Sequence, residues 1–293
     1  MSTGCPDAGD RTEQGPLSGV AAVVFDTDGV IVDSAREHAA AWRTAFDACL
    51  RAHPPAAPGA RRPFDIGDDY LRHVDGRRRL DGAASFLASR GVDLPAGSPE
   101  DPPGTDTVAA VAAYKDRLYT EWLAAHGVEA FPGTMRLLRL LCDQGVPLAA
   151  VSASRHAREL LTRCGALPCF EAVVDGVEAS RLGLPGKPDP ALFLEAARRL
   201  GRPPGGAAVV EDSLAGVEAG RRGGFRTVVG VDRAATPATR AELLGRGADV
   251  VVDDLAELVT GPLGGSEDAT ATTGTAPAAT GTEDTEDAED TED

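Results

Sequence analysis

Lysine is nearly absent from this 293-residue chain: of its 29 basic residues only Lys115 and Lys187 are lysines, and arginine supplies the rest. Basic charge is short altogether, 29 residues against 46 acidic ones, for a formal net charge of −17. With no concentrated basic stripe, that balance argues against a nucleic-acid partner. No apolar run approaches the ~20 residues a membrane span requires, so no membrane partner is expected. The first eighteen residues are polar and rich in glycine and proline, without the basic flank and apolar core of a secretory leader. Cysteine is sparse and unpatterned. Cys5, Cys49, Cys142, Cys164 and Cys169 are odd in number and contain no C-x-x-C pair, which suits reduced thiols in a cytoplasmic protein better than a disulfide framework or a zinc site. No internal repeat is present.

The acidity that is present is unevenly placed. Ten acidic residues and no Lys or Arg lie between Thr260 and Asp293, so the remainder of the chain carries only −7. That tail lacks large apolar residues and cannot offset its own ordering entropy, so disorder is expected for 260–293, as for residues 1–18. The tail's expected role is solubility, with partner binding as the alternative.

The chain is organised around VAAVVFDTDGVIVDS, Val20 to Ser34. An uninterrupted apolar, β-branched run bounded by a turn signal reads as a strand buried on both faces, as in a parallel sheet. It delivers two carboxylates, Asp26 and Asp28, to one edge. Buried acids are costly unless paired, so such a strand end implies a bound cation or a reaction that uses them. The plainer alternative is a hairpin turn at Asp28-Gly29.

Downstream, Ala35 to Leu50 has helical spacing, with Ser34 as its expected N-cap. Gly67 to Gly127 is helical in pattern and holds no strand-like run; it is broken by the loop 94–106. From Phe131 onward strands and helices alternate, with strands expected at 147–152, 172–175, 207–211, 227–231 and 249–252. Alternation of this kind implies an α/β, doubly wound parallel sheet, and the helical stretch after the first strand reads as an inserted cap. The expected boundaries are 19–33 with 133–259 for the core and 34–132 for the cap, joined through linkers near Asp33-Ser34 and Phe131-Gly133. Ligands of such sheets bind beyond the carboxyl ends of the strands. That rule selects Ser152 with Ala153 and Ser154, and the adjacent acids Glu211 and Asp212. Lys187, in GKPDPALF, stands out because an arginine-rich chain that keeps a lysine has use for a compact point charge. Each has a structural alternative: a plain helix cap for the serines and Asp212, a solvated charge for Lys187.

FDTDGVIVDS, the serine loop, K-P-D-P and ED, in that order at successive strand ends, resemble the four motifs of the haloacid dehalogenase-like superfamily. VDS followed by His38 and Trp42 resembles its beta-phosphoglucomutase branch. The resemblance implies Asp26 as nucleophile, forming an aspartyl phosphate, and Asp28 as general acid and base with its side chain free for proton transfer. It implies Mg²⁺ held by Asp26, by the Asp28 backbone carbonyl, and by Glu211 and Asp212. It implies phosphate binding by Ser152, Ala153 and Lys187, and close packing by Gly216 and Gly220. In the cap it assigns His38 to a hinge that couples closure to the acid, and Gly76, Arg79 and Lys115, with Trp42 and Ser154, to the substrate. Arg79 and Lys115 would grip the non-reacting phosphate of a sugar bisphosphate; a solvated charge run is the alternative for the three arginines at 77–79. Two departures stand out: His156 replaces an asparagine in the branch's second-motif loop, and the 94–106 loop is extended. The resulting expectation is a monomer acting on a small-molecule sugar phosphate as a beta-phosphoglucomutase, with a sugar-phosphate phosphatase and a non-catalytic phosphosugar-binding module as alternatives.

Overall fold

The computed structural model describes residues 15–259. The expected disorder of the two tails falls on 1–14 and 260–293, outside the described residues, as does Cys5. Residues 16–19 form a turn, and Leu17 packs against the main hydrophobic cluster rather than belonging to a free tail.

Six strands, β1 (Ala22–Asp26), β2 (Leu148–Val151), β3 (Ala172–Val174), β4 (Ala207–Glu211), β5 (Thr227–Val231) and β6 (Val250–Val252), form one parallel sheet in the order β3-β2-β1-β4-β5-β6. The register pairs Phe25 with Ala150 on one side and with Val210 on the other, which puts β1 at the centre. Its side chains alternate between two cores. Val23 and Phe25 join one cluster, Ala22 and Val24 the other, and all four are fully buried. Apolar residues on both faces demand helices on both faces. The first face takes α5 (Pro132–Asp143) and α6 (Ala157–Arg163), and the second takes α8 (Ala191–Arg199) and α9 (Leu214–Arg222). The chain order reverses between β1 and β4, so their carboxyl ends flank the crevice where such sheets bind ligands.

Between β1 and α5 the chain is helical: α1 (Ala35–Ala52), α2 (Asp68–His73), α3 (Arg79–Ser89) and α4 (Val108–Ala125). They enclose a third core in which Phe46 stacks on Trp42 at 4.7 Å and also meets Phe64 and Phe86. The two linkers to this cap run side by side. Asp33 N–H donates to Glu129 O at 3.0 Å and Phe131 N–H to Ile31 O at 3.0 Å.

Two expectations need correction. Ser34 occupies the N-cap position of α1 but makes no capping bond; its hydroxyl donates instead to Asp28 Oδ1 at 2.7 Å. A helix is also present where none was expected, α7 (Gly176–Leu182), capped by Asp175, whose carboxylate accepts from Val177 and Glu178 N–H. Before β6 the chain forms α10 (Pro237–Arg246), with Thr236 accepting from Thr239 N–H.

Candidate active site

Because β1 ends at Asp26 and β4 at Glu211, parallel pairing brings both carboxylates to the same edge, and Asp212 follows. One carboxylate oxygen from each of Asp26, Glu211 and Asp212 lies within 4.8 Å of the others. Lys187, fully enclosed in the loop before α8, contacts Asp26 Oδ1 and Glu211 Oε1 together. Burial opposes its charge, yet the two acids outweigh burial and hold the ammonium above the usual lysine range. One lysine does not balance three carboxylates. Burial lifts the carboxyl of Asp212 well above the ordinary range, and Glu211, Asp75 and Asp26 add repulsion. An all-oxygen, electron-rich donor set of this kind fits a small hard dication such as Mg²⁺. The Asp28 carboxylate is not part of the group. Glu211 also accepts from Ser213 N–H at 2.6 Å, which fixes its orientation.

Two glycines make the crowding possible, and a third packs α9 onto the sheet. Gly29 has φ +78°, and a Cβ there would run into the Asp212 carboxylate; one on Gly216 would run into that of Glu211. Gly220 lets α9 approach within 3.3 Å of Val209 and Val228 at the Cβ position, as expected.

The side chain of Asp28 is not free. Its Oδ1 accepts from Ser34 and from His38 Nε2 at 3.1 Å, and its Oδ2 from Ser152 at 2.9 Å. Burial opposes its ionisation, but His38 and the hydrogen bonds from His38, Ser34 and Ser152 prevail and hold the carboxyl well below the usual range. Behind it, Lys115 Nζ lies 2.6 Å from His38 Nδ1. An ammonium only donates, so Nδ1 accepts and Nε2 carries the hydrogen given to Asp28. Burial lowers the pKa of His38, with Lys115 adding to the effect. Burial likewise brings Lys115 down to about 8. Tyr119 stacks on His38 with centroids 4.0 Å apart, and the Lys115 ammonium sits 4.8 Å above the Tyr119 ring.

Asp26, Asp28, His38, Trp42, Gly76, Arg79, Lys115, Ala153, Ser154, Lys187 and Asp212 all line one cavity of about 190 Å³ between sheet edge and cap. Ser152 and Glu211 do not line it. The Ser152 hydroxyl, fully buried, serves Asp28 and accepts from Ser154 N–H at 2.9 Å. Helix α6 starts only at Ala157, so the serine loop precedes the helix rather than forming its first turn.

Several lining residues were not singled out in the sequence. Asp116 forms an ion pair with Arg79 and accepts from His156 Nε2 at 3.2 Å, joining cap to core. Burial opposes its charge, but His156 and Arg79 hold its carboxyl well below the usual range. Asp75 and Tyr70 face the cavity from the cap, and Arg155 from the core. Asp116 follows Lys115 directly and Asp75 precedes Gly76; that adjacency was the one available signal.

A family model described as haloacid dehalogenase-like hydrolase matches residues 20–224. The chain is 42% identical over 240 residues to a beta-phosphoglucomutase of Mycobacterium bovis, covering 82% of this chain and 92% of that one. It is 32% identical over 237 residues to the validoxylamine A 7'-phosphate phosphatase of Streptomyces hygroscopicus subsp. limoneus, covering 80% and 94%. Among solved structures, a beta-phosphoglucomutase from Clostridium difficile superposes with a TM-score of 0.60 over 82% of this chain and 93% of that one, at 22% identity, a likeness of fold. Among the described residues no helix is long and apolar enough to cross a membrane. The chain is an enzyme, a phosphomutase or a phosphatase, and it belongs to the haloacid dehalogenase-like hydrolase family, within the beta-phosphoglucomutase group.

Proposed function

We propose that this chain is a Mg²⁺-dependent beta-phosphoglucomutase that interconverts β-D-glucose 1-phosphate and glucose 6-phosphate through β-glucose 1,6-bisphosphate. The observation that carries the reading is the grip on Asp28: its carboxylate is held by Ser152 of the core and by His38 of the cap at once. An acid and base completed by the cap favours an acceptor that the cap encloses, a sugar hydroxyl, over bulk water.

In this scheme an Asp26 carboxylate oxygen attacks one phosphorus of the sugar bisphosphate, the phosphorus–oxygen bond to the sugar breaks, and the departing oxygen takes a proton from Asp28, leaving a sugar monophosphate and an aspartyl phosphate. In the other half, which forms the bisphosphate, the free hydroxyl of a sugar monophosphate attacks the aspartyl phosphate. Its proton passes to Asp28, and Asp26 is released. Lys187 offsets charge on the nucleophile and on the phosphoryl group, and Ala153 and Ser154 border the phosphate's place. Arg79, held by Asp116, suits the phosphate at the far end. Mg²⁺, held by Asp26, Asp212 and the Asp28 backbone carbonyl with Glu211 behind them, would supply charge neutralisation between carboxylate and phosphate.

The relative named as a validoxylamine A 7'-phosphate phosphatase favours a second reading, hydrolysis of a sugar-like phosphate by the same core residues. Supplying β-glucose 1-phosphate, Mg²⁺ and a trace of glucose 1,6-bisphosphate separates the two. Glucose 6-phosphate formed without matching release of inorganic phosphate is the mutase result; phosphate release with little glucose 6-phosphate is the phosphatase result and contradicts the proposal.

A further inference from the structure

The acidic groups around the cavity are almost all matched. Asp28 has Ser34, His38 and Ser152; Asp116 has Arg79 and His156; Lys115 has His38; Asp26 shares Lys187 with Glu211. Asp212 belongs to the carboxylate group suited to a cation. Among these acids Asp75 is the exception. It lines the cavity, and among the described residues no side chain hydrogen-bonds or ion-pairs with its carboxylate, which is steadied by the charge of Lys187 and by the N–H of Gly76.

Its position is firmly set. Asp75 N–H donates to Tyr70 O at 3.0 Å and Arg77 N–H to Val74 O at 3.1 Å, which closes the loop between α2 and α3. The next residue, Gly76, has φ +66°, and a Cβ there would collide with Ser213, the residue that caps α9 directly after Asp212. The cap loop therefore lies against the end of β4 with Asp75 facing the site. Burial raises its carboxyl to about 7, with Glu211 adding repulsion and Lys187 opposing it.

The chemistry of its surroundings restricts what can meet it. A phosphate beside Asp75 would be repelled by it and by the neighbouring acids, and the two anionic ends of a substrate have their own places at Lys187 and Arg79. What lies between those ends in a sugar phosphate is neutral and rich in hydroxyls. A carboxylate with open lone pairs accepts from one hydroxyl or from two adjacent ones, and such bonds discriminate strongly against analogues that lack the donor. We propose that Asp75 is a specificity residue which accepts hydrogen bonds from ring hydroxyls of the sugar phosphate and selects polyhydroxylated phosphates over small plain ones. This rests on the sugar-phosphate reading given above.

The test uses the full chain with Mg²⁺ and compares wild type with Asp75→Asn and Asp75→Ala. The substrates are β-glucose 1-phosphate, its mono-deoxy analogues, and acetyl phosphate as a hydroxyl-free probe. The expected result is a fall of at least about tenfold in kcat/KM for β-glucose 1-phosphate relative to acetyl phosphate, carried mainly by KM. For the analogue lacking the contacted hydroxyl the loss shrinks to less than about threefold, since the bond is already gone. The Mg²⁺ concentration for half-maximal rate stays where it was. Equal losses on all substrates, or a raised Mg²⁺ requirement, overturn the inference while leaving the sugar-phosphate reading intact. A wild-type enzyme with no preference for sugar phosphates over acetyl phosphate overturns both.

Discussion

His38 Nε2 lies 3.1 Å from Asp28 Oδ1, and this contact ties the first helix of the cap to the turn that follows the central strand. It makes the ionisation of Asp28 depend on the cap. With His38, Ser34 and Ser152 all donating, Asp28 is held as a base; to act as an acid it must lose part of that support. Cap movement is the natural source of the change.

Replacing His38 with Asn removes the imidazole link between Lys115 and Asp28 while leaving Asp26, Lys187 and the acidic group untouched. General acid–base assistance contributes on the order of 10²–10⁴ in rate, so kcat is expected to fall by about 10² or more. Single-turnover measurement should localise the loss to transfer between enzyme and sugar. An unchanged kcat would detach the cap from proton transfer.

Lys115 is expected to set an alkaline limit on activity. Burial brings its ammonium from the ordinary lysine range down to about 8, so its charge is present below that pH and is lost as pH rises through it. Once neutral, Lys115 no longer fixes His38 as the Nε2–H tautomer that donates to Asp28. The profile of kcat/KM is expected to descend above about pH 8, and Lys115→Arg should carry the descent to higher pH, because guanidinium stays charged.

The acidic group predicts a stability effect of metal that needs no substrate. Mg²⁺ relieves repulsion among Asp26, Glu211 and Asp212, so it should raise the melting temperature of the wild-type chain. At a hundredfold excess over its dissociation constant the gain is about 2.7 kcal/mol. Asp212→Asn should lose most of that response, and chelation should return the wild type to its metal-free melting temperature. A wild-type melting temperature indifferent to Mg²⁺ would remove the group as a metal site.

Phe46 is the hub of the cap's core: fully buried, stacked on Trp42 and packed on Phe64 and Phe86. Phe46→Ala removes a large buried ring and leaves a cavity, at a cost of about 3–5 kcal/mol by denaturant unfolding. Because Trp42 lines the active-site cavity from the same cluster, KM should rise as well.

What could be read in the sequence was what lies at the ends of strands. Asp26, Ser152 and Glu211 each close an apolar run, and parallel pairing alone brings such positions together, so the core site was legible. The hydroxyl partners of Asp28 were not, because a hydroxyl's partner is decided by tertiary structure: Ser34 stands at the N-cap position of α1 and Ser152 follows β2, yet both hydroxyls donate to Asp28. Asp116 and His156 are 40 residues apart and meet only when cap and core are assembled. Helix α7 has no apolar stripe to mark it in the sequence: Gly176 and Ala179 face inward, whereas Val177 and Leu182 are exposed.

The most direct test of the account is whether phosphate becomes covalently attached to Asp26. The chain would be incubated with Mg²⁺ and glucose 1,6-bisphosphate, quenched in acid and digested, and the peptide spanning Val20 to Ser34 examined by mass spectrometry. A phosphoryl group is expected on Asp26 that forms within a turnover, is discharged by added β-glucose 1-phosphate, and is missing in Asp26→Asn. Turnover at the wild-type rate in Asp26→Asn, or a phosphoryl group on another residue, would contradict it.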